Sequence, residues 1–139
     1  DLAGLLGEIV DGARREGAVI ELKTEGDLRV AVRPNAIKRG ITNLVTNATR
    51  YGKKVAIHAV RQAESIEIAV VDDGPGIPAG KREDVFRPFV RLESSRNQAT
   101  GGIGLGLTIA RDIVRGHGGD IVLHEAPGGG LTASVRLPV

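Results

Sequence analysis

The chain has 139 residues, within the size of one domain, and 41% are hydrophobic, but two Phe, one Tyr and no Trp mean that its core must be aliphatic. Nineteen Lys and Arg against 17 Asp and Glu leave a formal charge of +2; the basic residues are scattered and stacking aromatics are lacking, which argues against a nucleic-acid partner. Without cysteine there are no disulfides or thiolate metal sites, and without a leader or an apolar run of roughly 20 residues the chain is expected to be soluble, with no membrane contact.

Residues 2–16 place Leu2, Leu5, Leu6, Ile9, Val10 and Ala13 at helical spacing, with Asp1 as N-cap, and predict an amphipathic helix ending near Gly17. AVIELK (18–23) and LRVAV (28–32) then read as two short strands joined by the turn-like TEGD, a hairpin. Pro34 opens a second helix, whose apolar face is Ile37, Ile41, Leu44, Val45 and Ala48. KVAIHAV (54–60) and SIEIAVVD (65–72) are strands, and DDGPGIP (72–78) is a turn. From KREDV onward the chain makes about one helical turn and then a long polar connection, of a length that usually serves function or motion. A third helix is expected at about 104–117, stopped by Gly118, followed by strands DIVLHE (120–125) and LTASVRLP (131–138) around the turn APGGG. This order predicts an α/β sandwich with one helical face and a mixed, mostly antiparallel sheet.

Twenty glycines, about twice the usual share and without a period, are expected to mark special backbone sites. Four of them lie in GGIGLGL (101–107), where a helix begins. Exposed N–H groups at a helix start, with glycines that admit close approach, suit a phosphate. No Lys follows as a Walker loop requires, and the spacing Gly102-x-Gly104-x-Gly106 after a polar loop is not the dinucleotide fingerprint. Taken alone, the stretch serves equally as a hinge.

At about 100° per residue, Asn43, Asn47, Arg50 and Tyr51 share a flank beside the apolar face of the second helix. Two amides one turn apart, with a guanidinium and an aromatic ring, suit a metal-triphosphate; a solvated flank is the plainer alternative. In DDGPGIP a carboxylate at a strand end can accept from an exocyclic amine, and Gly74 and Gly76 would let a flat ring lie on the backbone. A tight turn explains the same residues.

NLVTNATRYG, DDGPGIP, VFRPFVR and GGIGLGLTIARDIVRGHGG occur in this order and resemble the N box, first glycine box, F box and second glycine box of bacterial sensor histidine kinases, above all the osmosensor type. The resemblance runs from DLAGLLGEIV to the terminal LPV, so residues 1–139 would be one catalytic, ATP-binding domain. It implies the two-layer α/β sandwich shared with gyrase, heat-shock chaperone and mismatch-repair ATPases (the Bergerat or GHKL fold), with three helices on the sheet and a mobile ATP lid at about 87–103.

Carried over by residue, the resemblance makes ATP and Mg²⁺ the cofactors. Asn47 would ligate the metal, Asn43 support the metal-phosphate, Arg50 contact phosphate and Tyr51 the ribose or adenine. Asp72 would read the adenine amino group, helped by Gly74, Gly76, Ile77 and Thr132, with Asp73 a weaker candidate. Gly102, Ile103, Gly104, Leu105, Gly106 and Leu107 would wrap the phosphates, Phe86 and Phe89 anchor the lid, and Arg91 and Arg96 approach the γ-phosphate. The implied catalytic set is Asn43, Asn47, Arg50 and Arg91.

In the gyrase-like ATPases a glutamate stands where this chain has Asn43, and an amide cannot be a general base; the resemblance therefore implies transfer to another acceptor. His58, His117 and His124 lie in no H box, so the acceptor histidine is expected on a separate dimerisation domain outside this sequence. The whole would be the cytoplasmic kinase module of an inner-membrane-anchored two-component sensor that serves a response regulator.

Overall fold

The computed structural model describes residues 1–77, 79–83, 86 and 106–139 and opens with α1, Leu2–Arg15. The helix starts there because the Asp1 carboxylate accepts the Ala3 N–H at 2.9 Å, satisfying one of the unpaired donors of a first turn. Leu2, Leu6, Ile9 and Val10 form its buried stripe, and Leu5 and Ala13 pack at the margin. Gly17, at φ +94°, then turns the chain into β1, Val19–Glu25.

The expected hairpin does not form. β1 pairs in parallel with β2, Lys54–Arg61, in the register Ile20 to Val55 and Leu22 to Ile57, and 28–32 is not a strand. The reason lies in where its polar groups go. The Asp27 carboxylate takes the Arg29 N–H at 3.0 Å, and the Leu28 carbonyl accepts the Leu2 N–H at 3.1 Å, at the head of α1. Leu28 is buried in the core and Val30 and Val32 pack against it, so hydrophobic alternation here reports burial without a ladder.

Between β1 and β2 runs α2, Pro34–Tyr51, as a parallel pair requires. Its Arg33 cap has no side-chain bond at the helix start; the Arg33 N–H instead donates to His117 Nε2 at 3.1 Å, while His117 Nδ1 lies 2.8 Å from the Ile113 carbonyl. β3, Ser65–Asp72, α3, Gly106–Gly116, β4, Asp120–Glu125, and β5, Leu131–Pro138, complete the regular elements among the described residues, apart from a 3-10 turn at Ala79–Lys81. Gly40 sits against the Ile113 side chain, which lets α2 and α3 approach closely.

The sheet order is β1-β2-β3-β5-β4, antiparallel except for the first pair: a mixed, mostly antiparallel sheet with helices on one face. Strand alternation fixes the inward rows as Val55, Ile57 and Ala59, then Ile66, Ile68 and Val70, then Ala133, Val135 and Leu137, with Ile121 and Leu123 at the edge. Ile37, Ile41, Leu44, Val45 and Ala48 of α2 and Ala110 and Val114 of α3 close on those rows. No helix among the described residues is long and apolar enough to cross a membrane.

Candidate nucleotide site

Asp72 is the last residue of β3 and falls on its inward row, opposite Val55 on one side and Leu131 on the other. Alternation thus drives a carboxylate into the position of a core residue; it is 4% exposed. Burial pushes its pKa above the ordinary carboxylate value, opposed by the Gly74 and Leu131 N–H groups and reinforced by the neighbouring Asp73 charge. The Gly74 N–H donates to Oδ1 at 2.8 Å, which leaves the carboxylate with unused acceptor capacity.

The surrounding backbone is drawn in tightly. A Cβ on Gly74 would stand 2.6 Å from the Tyr51 carbonyl oxygen, and one on Gly130 would strike the backbone of Asp72 and Asp73. Only glycine allows the end of α2, the end of β3 and the β4–β5 turn to meet around one carboxylate. Gly76, at φ +74°, faces the Gly129 and Gly130 carbonyls, and Ile77 returns the chain to the core.

Along α2, Asn43 and Asn47 are half-buried on the flank next to the core stripe, Arg50 is exposed, and Tyr51 is half-buried where the helix meets Gly74. Asn43 Nδ2 donates to the Gly106 carbonyl at 3.4 Å, which brings the flank to the start of α3. Leu107 packs at the margin of the core there, and among the described residues of this helix no acidic side chain occupies the first turn, where the dipole is positive. A buried acceptor at one end of α2, two amides along it and the Gly106 end of α3 beside Asn43 form a polar line. Asn43 to Tyr51 is eight residues, a rise of about 12 Å.

The structure thus sets Tyr51, Asp72 and Gly74 against one another and Asn43 beside Gly106, with Asn47 between Asn43 and Tyr51 on α2, Gly76 and Ile77 following Gly74 in the chain, and Leu107 following Gly106 in α3. It does not bring Thr132 to them. Thr132 pairs with Val71 and His124 in the outward row, so Leu131 shares the face of Asp72. Asp73 is also redirected: its Oδ1 accepts the Lys53 and Lys54 N–H groups, and those bonds hold its pKa below the ordinary value. Arg91, Arg96, Gly102, Ile103, Gly104 and Leu105, like Phe89 and the expected lid, lie outside the described residues.

Among the described residues no group of three or more His, Cys, Asp or Glu side chains could hold a metal. The amide oxygen of Asn47 is nevertheless a hard, neutral donor of the kind Mg²⁺ accepts as one ligand when phosphates and water supply the rest.

One cluster contains a residue expected from the resemblance, Phe86 as a lid anchor, but its partners Glu83, Thr108, Arg111 and Asp120 have no reading in the sequence. Phe86 is buried, and the Arg111 guanidinium lies over its ring, 4.1 Å from the centroid. Arg111 also pairs with Glu83 at 2.9 Å and with Asp120 at 3.1 Å, and the Thr108 hydroxyl donates to the Phe86 carbonyl. These contacts fasten residues 83 and 86 to α3 and β4. Arg111 and Arg115 lie one helical turn apart ahead of Asp120, the only trace this ion-pair cluster leaves in the sequence.

Comparison with known proteins identifies the family and the fold. The family model described as histidine kinase-, DNA gyrase B- and HSP90-like ATPase matches residues 32–139. The sensor histidine kinase GtrS of Pseudomonas aeruginosa is 44% identical over 106 residues, covering 76% of this chain and 22% of its own length. The Escherichia coli sensor histidine kinase CpxA is 38% identical over 107 residues, covering 76% and 23%. The histidine kinase domain of the E. coli osmosensor EnvZ superposes with a TM-score of 0.74 at 36% identity, covering 97% of this chain and 84% of that one. The chain thus spans less than a quarter of the length of these two sensor kinases.

Proposed function

This chain belongs to the histidine kinase-, DNA gyrase B- and HSP90-like ATPase family, and from that premise we propose that it binds Mg-ATP and gives the γ-phosphoryl group to a histidine on a separate dimerisation and phosphoacceptor domain of a two-component sensor kinase. The observation that carries this reading is the line from buried Asp72 through Asn47 and Asn43 to the start of α3. Asp72 accepts from the exocyclic amine of adenine, and Gly74 and Gly76 leave room for the ring. Tyr51 lies toward the base and ribose, Asn47 ligates Mg²⁺ through its amide oxygen, and Arg50 meets phosphate from the exposed end of α2. The N–H groups at the start of α3, at Gly106 and Leu107, face the phosphates.

Phosphoryl transfer asks chiefly for position and charge neutralisation. Mg²⁺, when bound, draws charge from the phosphate oxygens. The imidazole nitrogen of the acceptor forms the new bond to the γ-phosphorus, the bond to the bridging β–γ oxygen breaks, and ADP leaves with that electron pair. Asn43 cannot take a proton from water, which favours an acceptor that is already nucleophilic over hydrolysis. Arg91 and Arg96 belong to the same proposal as cations for the γ-phosphate, and the response regulator as the next acceptor. Membrane attachment belongs to the whole sensor, outside this domain.

The test is to mix the chain with Mg-ATP and a separately produced acceptor-helix domain and to measure acid-labile phosphohistidine. Transfer that disappears in Asn47→Ala is expected. Nucleotide binding without phosphohistidine would refute the kinase assignment, and steady phosphate release by the isolated chain would favour an ATPase.

A further inference from the structure

The two halves of the site are carried by different elements: Asn43 and Asn47 by α2, and Asp72 by the end of β3, 25 residues beyond Asn47. A ligand that touches both halves needs their spacing held. Asp72, the last residue of β3, and Asp73 and Gly74 after it touch the stretch from the end of α2 to the first residue of β2. A Cβ on Gly52 would stand 2.9 Å from Asp72 Cβ and from Asp73 Oδ1, Gly74 lies against the Tyr51 carbonyl, and Asp73 Oδ1 takes the Lys53 N–H at 2.6 Å and the Lys54 N–H at 3.0 Å. The first two are close packing, which glycine permits but does not enforce. Only the Asp73 contact is directional, one charged oxygen shared by two successive amides.

We infer that Asp73 is a positioning residue: its carboxylate staples Lys53, two residues past the end of α2, and Lys54, the first residue of β2, to the strand end that carries Asp72, and so sets the distance between the base-reading and metal-phosphate halves of the site. The inference rests on the nucleotide-site reading given above. Asp73 is itself committed to the two backbone donors, and the depressed pKa that they produce keeps it ionised throughout the neutral range. Truncation would free the link at Gly52 and Lys53 to shift while leaving Asp72 and Gly74 bonded to each other.

A positioning role differs from a merely stabilising one in which ligand suffers. Adenosine touches only the base-reading half, whereas Mg-ATP spans both. The experiment titrates the chain with adenosine and with Mg-ATP at a temperature where circular dichroism shows every variant folded. For Asp73→Ala the expected result is Mg-ATP binding weaker by about tenfold, with adenosine binding changed less than about twofold. Asp73→Asn, which keeps an acceptor oxygen facing both amides, is expected to recover Mg-ATP affinity to within about threefold of the wild type. Asp73→Ser, whose shorter hydroxyl reaches one amide at most, is expected to fall between them and carries the test if the alanine variant does not fold. Equal losses for both ligands, or none for Mg-ATP, would overturn the inference while leaving the nucleotide site intact. Failure of the wild type to bind Mg-ATP would overturn the nucleotide-site reading itself, and this inference with it.

Discussion

Replacing Asp72 by Asn separates what the residue does for binding from what it does for stability. The shape is conserved, and the Gly74 N–H, which donates to Oδ1 at 2.8 Å, fixes the orientation of the new amide, because only its oxygen can accept there. Its Nδ2 takes the place of the other carboxylate oxygen and, in the proposed pose, is expected to meet the exocyclic amine of adenine donor to donor. The loss is one hydrogen bond to a charged group, about 1.5–3 kcal/mol, and at about 1.4 kcal/mol per decade that is roughly 10- to 150-fold in affinity for Mg-ATP. Stability should move the other way. Burial raises the folded-state pKa of Asp72, so its contribution is fully present below the unfolded value near 3.8 and is lost as pH rises through the raised folded value. At neutral pH the buried charge therefore costs stability, and Asp72→Asn should unfold in urea at no lower a midpoint than the wild type. Calorimetric titration with Mg-ATP and urea melts at pH 7 read the two effects. Binding within twofold of the wild type would refute the assignment of Asp72 to the base, and a large drop in the urea midpoint would refute the account of its burial.

Gly74→Ala forces a Cβ to 2.6 Å from the Tyr51 carbonyl and should lower the urea-unfolding free energy by more than about 1 kcal/mol and weaken Mg-ATP binding, whereas alanine at Gly4, with open space around it, should not affect binding. Arg111→Ala removes a cation that is only 12% exposed from Phe86, Glu83 and Asp120, and is expected to cost about 2 kcal/mol, less than for a fully buried pair because Glu83 is exposed; chemical denaturation checks this, and Arg111→Lys should recover part of the loss. At Asp120, burial pushes the pKa up but the bonds from Arg115, the Ile121 N–H and Arg111 prevail and hold it at about 2. Its stabilisation is present above the unfolded value near 3.8 and is lost as pH falls toward about 2; with Asp120 42% exposed, screening keeps this under about 1 kcal/mol, and Asp120→Asn should flatten the acid limb of a pH-dependent melt by that amount.

The elements that were legible in the sequence are those whose period matches their burial. α1 and α2 show it at 3.6 residues, and Lys54–Arg61, Ser65–Asp72 and Leu131–Pro138 at two. The stretch 28–32 misleads because alternation records which side chains are buried and not which backbone groups are paired. Its Leu28 carbonyl is spent on Leu2, while β1 finds its partner across α2, 35 residues away at Lys54. Thr132 misleads for a related reason: the face a strand residue occupies depends on register with its neighbour, and Asp72 is opposite Leu131. The amide flank of α2 was readable because a helix fixes its own geometry. The Arg111 cluster was not, because it joins residues from 83 to 120 through a fold that no local pattern describes.

The adjacent carboxylates of DDGPGIP show how register decides chemistry where composition cannot. Asp72 and Asp73 are the same residue type one position apart, yet one has its pKa raised and the other lowered. The first ends the inward row and loses water; the second leaves the strand, stays exposed and gains two amide donors. Only the first keeps acceptor capacity toward the pocket, and only the second has partners strong enough to hold two elements together. Hydrating a buried carboxylate would require the strand end to move away from its neighbours Val55 and Leu131. With Asp73 bonded to Lys53 and Lys54, and with Gly52 and Gly74 packed against the same junction, that movement would have to break two charge-assisted bonds. The exposed carboxylate thus adds two charge-assisted bonds beside the ladder that already holds Asp72 between Val55 and Leu131.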